Sequence, residues 1–154
     1  MKYNVTIEEI SKEELVDLFS TSMTGSFWLQ IDMPDKKHFK RIAQMSDEEY
    51  DDLTIEDIMA IWVLKGQMLR FEDMSAESKD ELNGNKGKWD KDNDCAYYMI
   101  GLEDIKEGLA KAAAGDKYER ECFVNFADGE RINMDLPQAD ILMQIILFGE
   151  YVYG

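Results

Sequence analysis

The chain predicts an α+β fold, about four helices packed on a small, at least partly antiparallel sheet, and three observations predict it. One helix design recurs four times: a capping residue, an acid or Gln three positions later, an amphipathic stretch and a glycine stop. Short alternating or aromatic segments lie between those stretches, as half-buried strands do. Asp128 and Gly129 form a tight-turn dipeptide between two β-prone runs, the strongest hairpin signal in the chain.

The elements follow in order. Ser11 with Glu14 opens the first helix, which runs to Gly25 with Leu15, Leu18, Phe19 and Ser22 on one stripe. Residues 26–32 predict a strand with Phe27, Leu29 and Ile31 facing one way and Trp28, Gln30 and Asp32 the other. Thr54 with Asp57 opens the second helix, ended by Gly66, with Ile58, Ile61 and Trp62 inward. Residues 68–72 predict a strand with Leu69 and Phe71 on one face, and residues 96–100 a short aromatic one. Gly101 with Asp104 leads to Gly115, and Asp135 with Gln138 leads to Gly149. An apolar residue precedes each cap (Ile10, Leu53, Ile100, Met134), and the first three are placed to staple onto Leu15, Ile58 and Ile105. The terminal glycines suit left-handed closing positions. The last helix is apolar nearly all round and reads as the most buried. Residues 118–127 and 130–134 read as the arms of the hairpin, and Tyr151 and Tyr153 as one side of a final strand. Residues 75–94, with a turn cluster of Asn and Gly at 83–87, read as an exposed, mobile loop inserted in a single domain spanning 1–154.

Composition narrows the function. Apolar residues make up 45 % of the chain, enough for a core, and the formal net charge is −16. A surface so acidic opposes broad contact with nucleic-acid phosphates or anionic lipid, because such contacts need Lys and Arg. It suits a basic protein partner, and it equally serves solubility. The opening residues show no apolar signal core, and the richest apolar run, 141–148, is interrupted by Gln144 and too short to span a bilayer. A cytoplasmic protein is the expectation. Cys95 and Cys122 stand far apart and read as free, buried thiols.

Few residue patterns carry chemistry. Residues 90–94 begin like a calcium loop, yet Cys95 and Gly101 stand where that loop needs Gly and Glu. A solvated acidic loop is the reading, with at most a weak surface cation site. The single histidine, His38, lies in the basic run 36–41, which either docks an anionic partner or offsets the acidic run that follows. No phosphate loop, nucleophile elbow or ligand cluster is present, so no catalytic residue, metal or cofactor is expected. The acidic run itself is Asp47, Glu48, Glu49, Asp51 and Asp52, extended by Glu56 and Asp57. With Glu8, Glu9, Glu13, Glu14 and Asp17 it forms an anionic face if the first two capped helices pack side by side. First turns favour carboxylates for their own sake, through the helix dipole, and that is the plainer reading. As a set on a rigid scaffold they also imitate a phosphate ladder. Trp89, in the polar loop, is a candidate contact anchor.

The closing residues 139–154 carry a resemblance. An Ala139-Asp140 pair leads a helix that ends in Leu147, Phe148, Gly149 and Glu150, followed by an aromatic, valine-containing run. This segment resembles the end of small acidic proteins encoded by bacteriophages and conjugative elements, especially of gut bacteria. Weaker likeness extends to residues 13–28 and 102–108. The resemblance implies a shared fold and a mobile-element origin, and it transfers no functional residues. It raises the expectation of a non-enzymatic accessory protein that binds another protein, as an acidic decoy of a nucleic-acid-binding host or defence factor. The alternative is a self-assembling accessory protein, a homodimer paired through Tyr151 and Tyr153. A small enzyme or metal-dependent sensor using the acidic loop stands third.

Overall fold

Caps fix the helices before packing does. In the computed structural model, which describes residues 6–127 and 135–153, the Ser11 hydroxyl accepts from the Glu14 N–H while the Glu14 carboxylate accepts from the Ser11 N–H. This reciprocal pair starts α1 (Lys12–Gly25). The same device starts α4 (Ile55–Leu64) at Thr54 and Asp57, and α7 (Leu136–Phe148) at Asp135 and Gln138. α5 (Leu102–Ala113) has half of it: Gly101 has no side chain, and its N–H donates to Asp104 at 2.8 Å. All four expected helices are therefore present, with their expected inward stripes buried or half-buried.

Three more helices join them among the described residues. α2 (Lys36–Ala43) is capped by Asp35, and α3 (Asp47–Asp51) by a reciprocal Ser46–Glu49 pair. α6 (Lys117–Ala127) corrects the strand expected over 118–127. Asp116 accepts from the Glu119 N–H, and Cys122 and Phe126, four apart, bury on one side. Helical spacing of the apolar residues outweighs the β preference of an aromatic-rich composition. The expected Asp128–Gly129 turn and its second arm lie outside the described residues.

The sheet is fully antiparallel in the order β1 (Leu29–Asp32), β2 (Leu69–Asp73), β4 (Cys95–Ile100), β3 (Lys88–Asp90). Leu29 pairs with Asp73, Phe71 with Tyr98, and Trp89 with Ala96. That register places Leu69, Phe71, Tyr98 and Ile100 on the helix side, all fully or almost fully buried. Trp28 reverses its expected side. It precedes the strand, is 1 % exposed, and leaves Phe27 83 % exposed instead. Residues 75–94 are not a structureless loop: they hold a 3₁₀ turn (Lys79–Glu81), β3, and a tight turn into β4. Residues 151–153 form no strand.

α1 packs on α4 and α7, and α5 packs on α7. Two glycines let α7 approach closely. A Cβ at Gly25 would lie 2.7 Å from Leu136 Cβ, and one at Gly108 would lie 2.6 Å from Ile146 Cα. Ile141 to Phe148 are all buried, so α7 is the axis of the core. No helix among the described residues is long and apolar enough to cross a membrane.

Candidate partner-binding surface and the buried polar network

The acidic run is displayed by α3. Asp47, Glu48, Glu49, Asp51 and Asp52 are all exposed, while Tyr50 turns inward onto the Phe39 ring at 5.7 Å. The basic helix α2 lies against this run. Lys40 pairs with Asp47, Lys36 pairs with Asp51 at 3.7 Å, and the Lys36 ammonium sits 5.0 Å from the Tyr50 ring. The Lys40 hydrogen bond, then its charge, holds the Asp47 carboxyl below the usual carboxylate range. Glu49 turns partly back to its cap, and Glu48 and Asp52 have no ion pair among the described residues. His38 lies edge-on to Trp62 at 5.3 Å and meets the Arg41 guanidinium through Nδ1 at 2.8 Å.

The N-terminal acids divide between two places. Glu13 and Asp17 share a shallow depression with Lys12 and Asp57, at the start of α4 and directly after α3 in the chain. Lys12 pairs with Asp57 at 3.4 Å. Asp57 is held low by the Thr54 backbone N–H before any contribution from Lys12. Glu8, Glu9 and Glu14 line a different depression with Leu102 and Lys106 of the α5 side. Of the expected anionic face, Asp57 thus meets Glu13 and Asp17, whereas Glu8, Glu9 and Glu14 border the other depression.

Trp89 is half-buried on the edge strand β3, on the helix side of the sheet, rather than displayed on a loop. Its neighbour Asp90 is committed to structure. Its carboxylate accepts from the backbone N–H groups of Asp92 and Asn93, from the Asn93 amide at 2.9 Å and from Arg70 at 2.6 Å. Asn93 and then Arg70 bring Asp90 down to about 2. Arg70 also stacks on Tyr97 at 4.1 Å. The residues 90–94 thus close a β-turn anchored on the face of the sheet away from the helices.

Both thiols are buried and poor nucleophiles. Burial pushes Cys95 and Cys122 up to about 11, and Cys95 donates to Glu72 at 3.0 Å.

The most developed polar constellation was invisible to local sequence patterns. Asp140, in the first turns of α7, accepts from Ser26 Oγ at 2.5 Å, Trp28 Nε1 at 2.6 Å and Gln144 Nε2 at 2.7 Å. Gln144 is fully buried, and its amide oxygen accepts from the backbone N–H groups of Val152 and Tyr153. The Tyr153 hydroxyl donates to buried Asp73 at 2.7 Å and accepts from Asn83 at 3.0 Å. Tyr98 completes the set, donating to the Asn83 carbonyl at 2.7 Å. Burial pushes Tyr98 up to about 12; Tyr153 also rises, through burial first and the Asp73 hydrogen bond second. Tyr153 is therefore an inward anchor, and Tyr151, 44 % exposed, is the outward residue of the pair. Comparison of the chain with family models, curated proteins and solved structures yields no match.

Proposed function

We propose that this is a non-catalytic accessory protein, of the kind carried by bacteriophages and conjugative elements, that binds a basic protein partner as an acidic decoy of nucleic acid. The observation that carries the reading is the display of Asp47, Glu48, Glu49 and Asp51 at exposed positions of one short helix, with exposed Asp52 as its C-terminal cap. The helix is fixed at its start by the Ser46–Glu49 cap and underneath by Tyr50 on Phe39. Carboxylates held in place cost a partner little ordering entropy, and a nucleic-acid-binding surface already carries the matching Lys and Arg. Lys36 and Lys40 engage two of the five and Ser46 a third, Glu49, which leaves Glu48 and Asp52 turned to solvent beside them. The whole chain adds a long-range field, because its net charge is −16.

The test compares the wild type with a variant carrying Asp47→Asn, Glu48→Gln, Glu49→Gln, Asp51→Asn and Asp52→Asn. Wild type is expected to capture a basic nucleic-acid-binding protein at low salt and to lose it to added duplex DNA. The variant, shown to be folded by circular dichroism, is expected to capture none. Equal capture by both proteins removes the decoy reading.

A further inference from the structure

Within the turn residues 83–87, Asn83 and Gly84 form a pair that the fold fixes from both sides. Gly84 adopts φ 71, and a Cβ there would collide with the Phe148 carbonyl, so the position requires glycine. Asn83 donates from Nδ2 to the Tyr153 hydroxyl at 3.0 Å, while its backbone N–H and carbonyl both bond the Tyr98 hydroxyl. An Asn-Gly pair is chemically labile, because the second residue has no side chain to shield the first residue's amide from the following backbone nitrogen. Gly84 is exposed and Asn83 half-buried, so water reaches the pair. Among the described residues nothing accepts from the Gly84 N–H.

We propose that Asn83 is a self-modification site, whose conversion to an acid releases the segment 150–153 that it helps to hold. The Gly84 nitrogen attacks the Asn83 side-chain carbonyl carbon. The N–Cγ bond forms as the Cγ–Nδ2 bond breaks, and ammonia leaves with the proton of the Gly84 amide. Water then opens the cyclic imide at either carbonyl, which leaves aspartate or isoaspartate at position 83. The product cannot keep the bond to Tyr153. Nδ2 was the donor, and the Tyr153 hydroxyl already gives its hydrogen to Asp73 at 2.7 Å. Two carboxylates, one of them on fully buried Asp73, then face a phenol that has a single proton to share, and their like charges repel. Asp73 is fixed in β2 and by the Ser75 N–H, so Tyr153 and the segment it anchors are the part that leaves. Isoaspartate also adds a methylene to the backbone, which displaces the two bonds to the Tyr98 hydroxyl. The device does not depend on the acidic surface of α3.

Peptide mapping by mass spectrometry of the native protein, aged in neutral buffer at body temperature, tests the chemistry. Amide-to-acid conversion is expected at Asn83 ahead of Asn85, Asn93 and Asn125, with isoaspartate at the same position. No conversion at Asn83 in the folded protein, under conditions in which the urea-unfolded chain converts there, overturns the proposal. Amide hydrogen exchange at Val152 and Tyr153, the two N–H groups held by Gln144, tests the consequence. Converted wild type and fresh Asn83→Asp are expected to lose about tenfold in protection relative to Asn83→Ala, which loses the bond without gaining the charge. Protection in Asn83→Asp no lower than in Asn83→Ala, or converted wild type as protected as fresh protein, overturns it.

Discussion

Gln144 shows how one polar residue in an apolar helix organises a distant segment. It is buried with every hydrogen-bonding position of its amide in use, two of its partners being backbone N–H groups of Val152 and Tyr153. Gln144→Leu keeps the volume and removes all of these bonds. A loss of about 2–4 kcal/mol is expected from urea denaturation, because buried partners are left unpaired. A loss below about 0.5 kcal/mol would show that residues 150–153 contribute no stability. Asp90 gives a pH signature. Its folded value of about 2 lies below the ordinary aspartate value of about 3.9, so its contribution is complete above about pH 5. It drains away as pH falls toward 2. The drop in melting temperature between pH 5 and pH 2.5 should therefore be smaller in Asp90→Asn than in wild type; equal drops would contradict the Arg70 and Asn93 assignment. In the local sequence Gln144 is only a break in an apolar run. The partners of Tyr153, Asn83 and Asp73, lie 70 and 80 positions away, beyond any local pattern.

At the scale of elements, capping was the most legible signal. Ser11, Thr54 and Asp135 each form the reciprocal pair that their spacing implies. The same grammar was present and unused at Ser46 with Glu49 and at Asp116 with Glu119, which begin α3 and α6. Composition misled there: Cys122, Phe123, Val124 and Phe126 favour strands as residue types, but they form a helix that buries Cys122 and Phe126 and leaves Val124 exposed. Glycine stops were only partly what they resembled. Gly66 and Gly149 are left-handed, whereas Gly25 serves close packing instead. Gly108 offers the sharpest test of that packing role. Helix propensity alone predicts that Gly108→Ala stabilises by about 1 kcal/mol. The contact of its new Cβ with Ile146, 2.5 Å from Cγ1, predicts the opposite sign, a net loss of roughly 1–3 kcal/mol. A higher melting temperature in Gly108→Ala would contradict the tight α5–α7 approach.

For the whole molecule, fold class was readable because helix and strand periods alternate along the chain; within the sheet only β3 and β4 are joined by a short turn, while β1 and β2 are linked through three helices. Tertiary placement was not readable. Whether the acids of residues 8–17 join those of α3 depends on which grooves α1 borders, and the structure sends them to two depressions. The closing residues build the polar network, through Asp140, Gln144 and Tyr153. They are structural, and the proposed function stands on charge. Exposed carboxylates are worth about 0.2–1 kcal/mol each to a cationic partner. Removing five should therefore weaken binding by roughly fivefold to a few thousandfold. The most direct measurement is the affinity of wild type and the five-site variant for a captured basic partner, titrated at low and high salt. A wild-type affinity that falls steeply with salt, and a variant that binds weakly at both, is the expected result. Salt-insensitive binding shared equally by the two proteins would contradict the acidic decoy.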